Sequence, residues 1–344
     1  MAHVRTPPAR PCSGGTAAVR FAPPRRHPGA HPMRLRRVIL LLGLPAAPVA
    51  VAPWFATSHW TLDLLACFPV QAGAWCLCCA VLALLCGGRL SFLLLAGFAL
   101  AAAAAVVPDW FTAPDKGPAD APTVTVLALN LLRGNEAASE QALATIAASA
   151  PDVLFCSEVT PEWLDRLTAA LDELPHRRVH ADPGYFGVAL FSRWPLVDDA
   201  VLPLPFAWAP AVRATVATPH GPLGVLGVHP PRPGSRDQCL ARDEALARFA
   251  DALAPLPPHR VVLGDHNATP WNVGFRAMLA ATGLRQASAG SWQPTWPSEL
   301  PRALRIPIDH VLVSAGLGVA DCVVGPSFGS DHLPIGATLR VLRQ

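Results

Sequence analysis

Charged residues are scarce in this chain of 344 residues: 15% are Asp, Glu, Lys or Arg, whereas 52% are hydrophobic. This balance is more apolar than a purely soluble protein requires, and it predicts lipid-facing segments. An excess of positive charge is missing from the larger part of the chain. The formal net charge of +3 conceals +8 in residues 1–37, so residues 108–344 carry −5. An acidic domain argues against a protein that tracks a nucleic-acid backbone with a broad basic face.

Cysteine is too unevenly placed to predict a disulfide framework or a zinc site. Most of the nine cysteines lie in apolar stretches, where they behave as small hydrophobes. The C-terminal part contains only Cys156, Cys239 and Cys322, without CxxC or Cys/His spacing. Cysteine therefore does not indicate the redox compartment.

The first 32 residues are rich in Pro, Arg, Gly and Ala and have almost no periodic apolar residues. Such a composition cannot bury enough surface to offset chain entropy, so residues 1–37 are predicted to be a disordered basic N-terminus. The alternative is that translation begins at Met33, directly before an arginine cluster and an apolar run.

Residues 38–107 contain three apolar runs, each close to one bilayer thickness, and they predict three transmembrane helices. The runs are Val38 to Ala56, Leu64 to Cys86 and Leu90 to Val107. A cleaved signal peptide is the alternative for the first run, because its start is basic.

Arginines flank these runs on one predicted side of the membrane. Arg34, Arg36 and Arg37 precede the first run, and Arg89 separates the second from the third. The positive-inside rule places both segments in the cytoplasm. Three spans then place everything after Val107 on the periplasmic or extracytoplasmic side of the inner membrane, as part of a multi-pass protein.

The composition changes after Pro108 to a Pro/Asp/Ala linker, residues 108–122, and then to a domain in residues 123–344. Short β-branched or apolar runs there predict strands at 124–129, 153–157, 188–191, 211–217, 223–228, 260–263, 308–313 and 335–341. Helices are predicted at 137–148, 161–174, 236–253 and 273–281. Several strands follow one another without a helix, which favours two sheets packed face to face with helices outside.

The most informative stretch is RVVLGDHNATPWN, from Arg260 to Asn272. Its apolar strand ends at Gly264, and Asp265 and Asn267 follow two positions apart. Alternate positions at a strand end place a carboxylate and a carboxamide on one face, where they can orient a water and contact a phosphoryl oxygen. An Asx turn is the structural alternative.

Other polar residues also close or open apolar runs. Asn130, Glu158 and His229 each follow a predicted strand, Asp309 opens another, and an Asp-His pair lies at Asp331 and His332. Together these side chains form a hard-oxygen and imidazole set that suits Mg²⁺ or Mn²⁺ rather than a soft metal.

The order N…E…H…GDxN…ID…SDH resembles the endonuclease/exonuclease/phosphatase superfamily, the deoxyribonuclease I-like fold, over about residues 124–342. GDHNATPWN and the later PTWP are most similar to bacterial membrane-anchored members. The resemblance implies an α/β (α+β) four-layer sandwich of two packed mixed β-sheets flanked by helices, here preceded by the three transmembrane helices.

The resemblance also implies roles for individual residues. Asn130, Glu158 and Asp331 would hold the metal, and Asp265 would orient or deprotonate the attacking water. Asn267 and His229 would contact the phosphate. His332, with Asp309 hydrogen-bonded behind it, would stabilise the developing charge or protonate the leaving oxygen in a one-step in-line attack.

Three positions leave alternatives open. His266 stands where the family usually has an aromatic residue, and His310 stands where a large residue is common. Both are interpreted as packing residues, with a titratable group beside the site as the alternative. Arg193 would contact phosphate or form a structural ion pair.

The predicted function is a membrane-anchored, divalent-metal-dependent phosphodiesterase acting on nucleic acid or a phospholipid headgroup, with no obligate protein partner. The alternative is a catalytically inactive, membrane-tethered binding module on the same fold. That reading predicts a gap among the metal and water-positioning residues, and the motif set has none. A transporter role is disfavoured because the spans carry almost no charge.

Overall fold

The structure is a computed structural model, and it describes residue 3 and residues 30–112, 114–203 and 209–342. Most of the predicted disordered N-terminus lies outside the described residues. Its last part is helical, because the first helix begins at Ala30.

The N-terminal part of the described chain is a helical module, residues 30–110. It contains α1 (Ala30–Gly43), α2 (Ala47–Phe55), α3 (Trp60–Leu65), α4 (Pro69–Leu85) and α5 (Arg89–Trp110). The helices reverse direction twice. At the start of α4, the Gln71 amide donates to backbone carbonyls of the C-terminal domain. Directly after α4, the Cys86 carbonyl accepts a hydrogen bond from Arg36 Nε of α1.

The prediction of three spans is not supported by helix length. Two segments of the described chain are long and apolar enough to cross a membrane: Arg34–Ser58, with 25 residues, and Arg89–Trp110, with 22. Helix α4 has 17 residues, or about 26 Å at 1.5 Å per residue. It is shorter than the predicted run because Leu64 and Leu65 belong to α3 and Pro69 starts a new helix.

The C-terminal domain, called here the sandwich domain, contains every strand and helix that the sequence predicted, although helix 236–253 is divided in two. The strands are β1 (Thr123–Asn130), β2 (Val153–Ser157), β3 (His176–His180), β4 (Val188–Ser192), β5 (Leu196–Pro203), β6 (Pro210–Thr218), β7 (Gly221–Val228), β8 (Arg260–Asp265), β9 (Arg285–Gln286), β10 (Asp309–Val313), β11 (Leu317–Val324) and β12 (Ile335–Val341). The helices are α6 (Ser139–Ser149), α7 (Pro161–Ala170), α8 (Arg236–Ala247), α9 (Phe249–Leu253) and α10 (Val273–Thr282).

These strands form two six-stranded mixed sheets, in the orders β11-β12-β1-β2-β4-β3 and β5-β6-β7-β8-β10-β9. Each sheet contains one parallel pair, β1 with β2 and β7 with β8, among antiparallel neighbours. The carboxyl ends of parallel neighbours lie at the same sheet edge. The residues that follow the two strands of each parallel pair therefore lie close together at that edge.

The sheets pack face to face over a shared core that includes Val126, Phe155, Val225 and Leu263. Helices α6 and α7 cover the outer face of the first sheet with Ile146, Trp163 and Leu167. Helices α8, α9 and α10 cover the second sheet with Leu246, Phe249 and Phe275. Two mixed sheets between two helical layers confirm the predicted sandwich.

Candidate active site

Polar side chains from both sheets meet at one edge of the sandwich domain. Asn130 is the last residue of β1, Glu158 follows β2, and Asp265 is the last residue of β8. Strand β10 runs antiparallel to β8, so its first residue, Asp309, pairs directly with Asp265. The Asn130 Nδ2 donates to Asp265 Oδ2 at 3.2 Å and joins the two sheets.

A glycine is required directly before Asp265. Gly264 has a φ of +133°, and a Cβ atom there would lie 2.2 Å from the Val228 carbonyl oxygen and 2.8 Å from the Phe155 ring. Any side chain would separate β8 from β7 or displace a core aromatic ring. The glycine of the GDHN sequence therefore allows the close strand packing that aims Asp265 into the site.

Asp265 lies at the centre of the cluster and is 2% exposed. Its Oδ2 is 3.5 Å from His229 Nε2 and 3.7 Å from His332 Nε2. Its Oδ1 accepts a hydrogen bond of 2.8 Å from the Asn267 backbone N–H. The Asx turn considered from the sequence is thus present, and it fixes the carboxylate between two imidazoles.

The carboxylates and imidazoles of this cluster each stabilise the charged form of their neighbours. Burial would raise the pKa of Asp265, but His332 and His229 outweigh burial and lower the pKa to about 2. Burial would lower the pKa of His332, but Asp309 and Asp265 raise it to about 10. Burial likewise opposes the charge of His229, and the hydrogen bond and charge of Asp265 raise its pKa. At neutral pH the site contains an ionised Asp265 facing a protonated His332.

Asp309 fixes the orientation of the His332 ring. His332 Nδ1 and Asp309 Oδ2 are 2.9 Å apart, and both residues are buried. Burial raises the pKa of Asp309, partly offset by the charge of His332. The His332 backbone N–H donates to Ser330 Oγ, whose hydroxyl donates to the Asn130 carbonyl. The loop before β12 is thus fastened to the end of β1.

Asn130 and Glu158 form a second polar group beside Asp265. The Asn130 Nδ2 donates to Glu158 Oε1 at 3.2 Å, and the Arg133 N–H donates to Glu158 Oε2 at 2.9 Å. Glu158 has a φ of +58°, a conformation that costs energy for a residue with a side chain. Such strain recurs at functional sites, where it directs a side chain that a regular strand end would point elsewhere.

The residues present fit a divalent cation. Glu158 supplies a carboxylate and Asn130 an amide oxygen, which are the hard ligands that Mg²⁺ and Mn²⁺ prefer. Asp265, Asp309 and His332 also have ligand atoms within 4.8 Å of one another. In that group the Nδ1 of His332 is hydrogen-bonded to Asp309, and in the other the Asn130 Oδ1 accepts a hydrogen bond from the Leu132 N–H. Both groups offer carboxylate oxygens, and the assignment of Glu158 and Asn130 as metal ligands stays a prediction.

Asp331 and Asn267 have contacts of their own. The Asp331 carboxylate is half-buried and accepts a hydrogen bond of 3.2 Å from the Trp296 indole, so its role in metal binding stays a prediction. The Asn267 Nδ2 donates to the Pro230 carbonyl at 3.0 Å, directly after His229, and the residue has a φ of +48°. This contact ties the loop after β8 to the loop after β7.

His266 directly follows β8 and His310 lies in β10, and the rings of both face the helical layer that covers this sheet. Their rings are 5.2 Å apart, pack against Phe275, and bond to the carbonyls of Gly264 and Ala268. Burial lowers the pKa of His266 to about 4 and that of His310 to about 3. Both are neutral packing residues at neutral pH.

Arg193 forms an ion pair of 3.0 Å with Asp152. Of the two alternatives for Arg193, phosphate contact or a structural ion pair, the structure contains the ion pair.

Two supporting residues were not identified from the sequence. Ser330 links His332 to Asn130, as described above, and Thr295 Oγ1 accepts hydrogen bonds from the backbone N–H groups of Ile308 and Asp309. Both lie within segments that the sequence singled out, SDH and PTWP. Their hydroxyls act on the backbone of functional residues, a role for which short motifs give no signal.

The two-sheet sandwich and the carboxylate–imidazole cluster at its edge define the deoxyribonuclease I-like class. The chain belongs to the Endonuclease/Exonuclease/phosphatase family, whose family model matches residues 127–332. This family comprises nucleases and phosphatases, which hydrolyse phosphoester bonds. No curated protein sequence matches the chain.

Solved structures share the fold at low sequence identity. An endonuclease/exonuclease/phosphatase from Bacteroides vulgatus superposes with a TM-score of 0.54 and 17% identity, covering 64% of this chain and 99% of its own. D. rerio TDP2 in complex with a single-strand DNA product gives 0.52 and 18%, with 64% and 99% coverage. The human Nocturnin catalytic domain with bound sulfate gives 0.51 and 19%, with 64% and 95% coverage.

Proposed function

We propose that this chain is a membrane-anchored phosphodiesterase that hydrolyses its substrate by in-line attack of water with a divalent cation. The observation that carries the proposal is the buried Asp265 carboxylate between two imidazoles, with the Asn130–Glu158 pair beside it. An inactive binding module would have no need of this charge arrangement, because it stabilises a transition state rather than a bound ligand.

Each residue of the site has a specific role in this proposal. Asp265, whose carboxylate lies between the two imidazoles, orients or deprotonates the attacking water. His332, protonated and fixed by Asp309, faces the developing phosphoryl charge and can donate its proton to the leaving oxygen. His229 and Asn267 contact the phosphate. Glu158 and Asn130, assisted by Asp331, would hold Mg²⁺ or Mn²⁺, which supplies charge neutralisation at the phosphoryl oxygens.

The helical module is proposed to anchor the chain in the inner membrane through Arg34–Ser58 and Arg89–Trp110, the two described segments long enough to cross it. Arg36 lies at the end of α4 opposite to Gln71, which contacts the sandwich domain. The positive-inside rule therefore places the sandwich domain on the extracytoplasmic side.

A phospholipid headgroup is the substrate that this arrangement favours. The part of the chain after the spans carries a net charge of −5, which repels a polyanionic nucleic acid. The spans bring the site close to lipid phosphodiesters. A nucleic acid remains the second substrate class that the assay must include.

The test is hydrolysis by the purified full-length chain of phospholipid vesicles, plasmid DNA, RNA and an aryl phosphodiester. We expect cleavage of the aryl diester and the phospholipid with Mg²⁺ or Mn²⁺, loss of activity in EDTA, and recovery when metal is restored. Full activity in EDTA would refute the metal-dependent mechanism. Failure to cleave any substrate with either metal would favour the inactive binding module, and preference for DNA or RNA would reassign the substrate.

A further inference from the structure

The helical module and the sandwich domain are joined by a buried ion pair. Asp63 in α3 lies 2.5 Å from Arg242 in α8, measured from Oδ2 to Nη2. The Arg242 side chain is fully buried and that of Asp63 is 6% exposed. A second carboxylate, Asp243, also contacts Arg242 but is 34% exposed, so solvent screens its charge. Asp63 is thus the more deeply buried of two counter-charges, and Asp243 accepts hydrogen bonds from both Nε and Nη2 of Arg242.

This ion pair reaches the loop that follows the catalytic strand. Arg242 Nη1 donates to the backbone carbonyl of Asn267 at 3.3 Å. Asn267 in turn is hydrogen-bonded through its N–H to Asp265. One guanidinium therefore contacts both a carboxylate of the helical module and the residue proposed to touch the scissile phosphate.

Asp63 also holds the other end of the same loop. Its Oδ1 accepts a hydrogen bond of 3.0 Å from the N–H of Val273, the first residue of α10, and its carbonyl accepts one of 2.8 Å from Asn272 Nδ2. Asn272 is the N-cap residue of α10, but its side-chain oxygen binds Thr269 and does not cap the helix. Asp63 supplies the missing carboxylate at the positive end of that helix.

We propose that Asp63 is a positioning residue, through which docking of the helical module fixes the loop of residues 266–273 and with it Asn267. Both carboxylate oxygens of Asp63 accept hydrogen bonds, one from Arg242 and one from Val273. An asparagine has a single side-chain acceptor, so Asp63→Asn must leave the Val273 N–H or one Arg242 N–H without its acceptor, and Arg242 keeps only the partly exposed Asp243 as a counter-charge. The loop is then released at one of its two ends. The kinetic part of this inference rests on the proposed function.

The experiment compares full-length wild type, Asp63→Asn and Gln71→Ala in detergent. Gln71 is a matched control, because it joins the same module to the carbonyls of Ala303 and Arg305 without contacting the loop of residues 266–273. Amide hydrogen–deuterium exchange of peptides covering 266–273 is measured first, and steady-state kinetics on the aryl phosphodiester follow.

We expect Asp63→Asn to accelerate exchange in residues 266–273, and Gln71→Ala to leave it unchanged. The turnover number of Asp63→Asn should fall on the order of tenfold with little change in KM, the result of displacing a positioned group. Wild-type exchange in this loop would overturn the proposal. The exchange measurement decides the inference even if no substrate is cleaved, whereas the proposed function is decided by hydrolysis in wild type and its dependence on metal.

A second variant covers the case in which Asp63→Asn does not fold. Arg242→Lys keeps a positive charge beside Asp63 but has one nitrogen where the guanidinium contacts Asp63, Asp243 and Asn267 at once. Faster exchange in residues 266–273 and a lower turnover number are expected. Exchange and turnover equal to those of wild type would overturn the proposal.

Discussion

Replacement of Asp265 and His332, singly and together, tests whether the two residues act as one catalytic unit. Asp265→Asn retains the shape of the side chain but removes the charge, and His332→Ala removes the imidazole. The two groups are 3.7 Å apart in a buried site. At an effective dielectric constant of about 20, opposite unit charges at that distance attract by about 4.5 kcal/mol.

Each single replacement should lower the turnover number on the order of a hundredfold, or about 2.7 kcal/mol, the range for loss of a charge-stabilising or acid–base group. If the losses were independent, the double variant would lose about 5.4 kcal/mol. The attraction between the groups is large enough to make the losses overlap. We expect the double variant to lie within about tenfold of the worse single variant, because removal of either partner already disables the pair.

The assay is steady-state hydrolysis of the aryl phosphodiester by full-length protein, after circular dichroism has shown that each variant folds. Asp152→Asn is the matched control. Asp152 is a carboxylate that precedes β2, pairs with Arg193 and accepts the Thr125 N–H at the opposite end of the same sheet. Its turnover number should equal that of wild type. Wild-type turnover in either Asp265→Asn or His332→Ala would show that the active site is wrongly assigned.

Three further predictions follow from the structure. Glu158→Gln should raise the metal concentration needed for half-maximal activity, and a metal titration identical to wild type would exclude Glu158 as a ligand. A reporter that is active only outside the cytoplasm, fused after Gln344, should be active; activity of a cytoplasm-only reporter there would reverse the orientation. Burial lowers the pKa of His266 from 6.5 to about 4. The unfolded chain therefore takes up a proton at this residue before the folded protein does, so the folded protein loses stability as the pH falls from 6.5 towards 4. His266→Phe should therefore gain about 3 kcal/mol of unfolding free energy relative to wild type between pH 7.5 and 4. Urea unfolding followed by tryptophan fluorescence measures this gain, and a constant difference would contradict it.

The sequence determined the central strands and the candidate site because both depend on local patterns. Strands such as Val153–Ser157 are continuous apolar runs buried on both faces, and a polar residue at the end of such a run must emerge at a sheet edge. The glycine before Asp265 and the Asp-His pair at residue 332 are likewise local. The family resemblance then supplied the order in which these strand ends come together.

The strands that the sequence did not predict are β3, β5, β9 and β11, and these are the edge strands of the two sheets. An edge strand has a hydrogen-bonded neighbour on one side only, and its other side is open to solvent. It therefore needs no continuous apolar run. Strand β3 reads HRRVH, and β5 is half-exposed along most of its length. Their pairing is decided by the neighbouring strand, which offers unpaired backbone groups, rather than by their own composition.

Tertiary structure alone decided the contacts of Asp63. In the sequence it is a single acidic residue among apolar runs, and its partner Arg242 follows 179 positions later. No periodicity or motif connects residues that far apart, because the ion pair exists only after α3 has docked on α8 and α10. The same holds for the neutral state of His266 and His310, which results from burial among aromatic rings. The local sequence therefore determined which residues could perform chemistry, and long-range packing decided which charges they face.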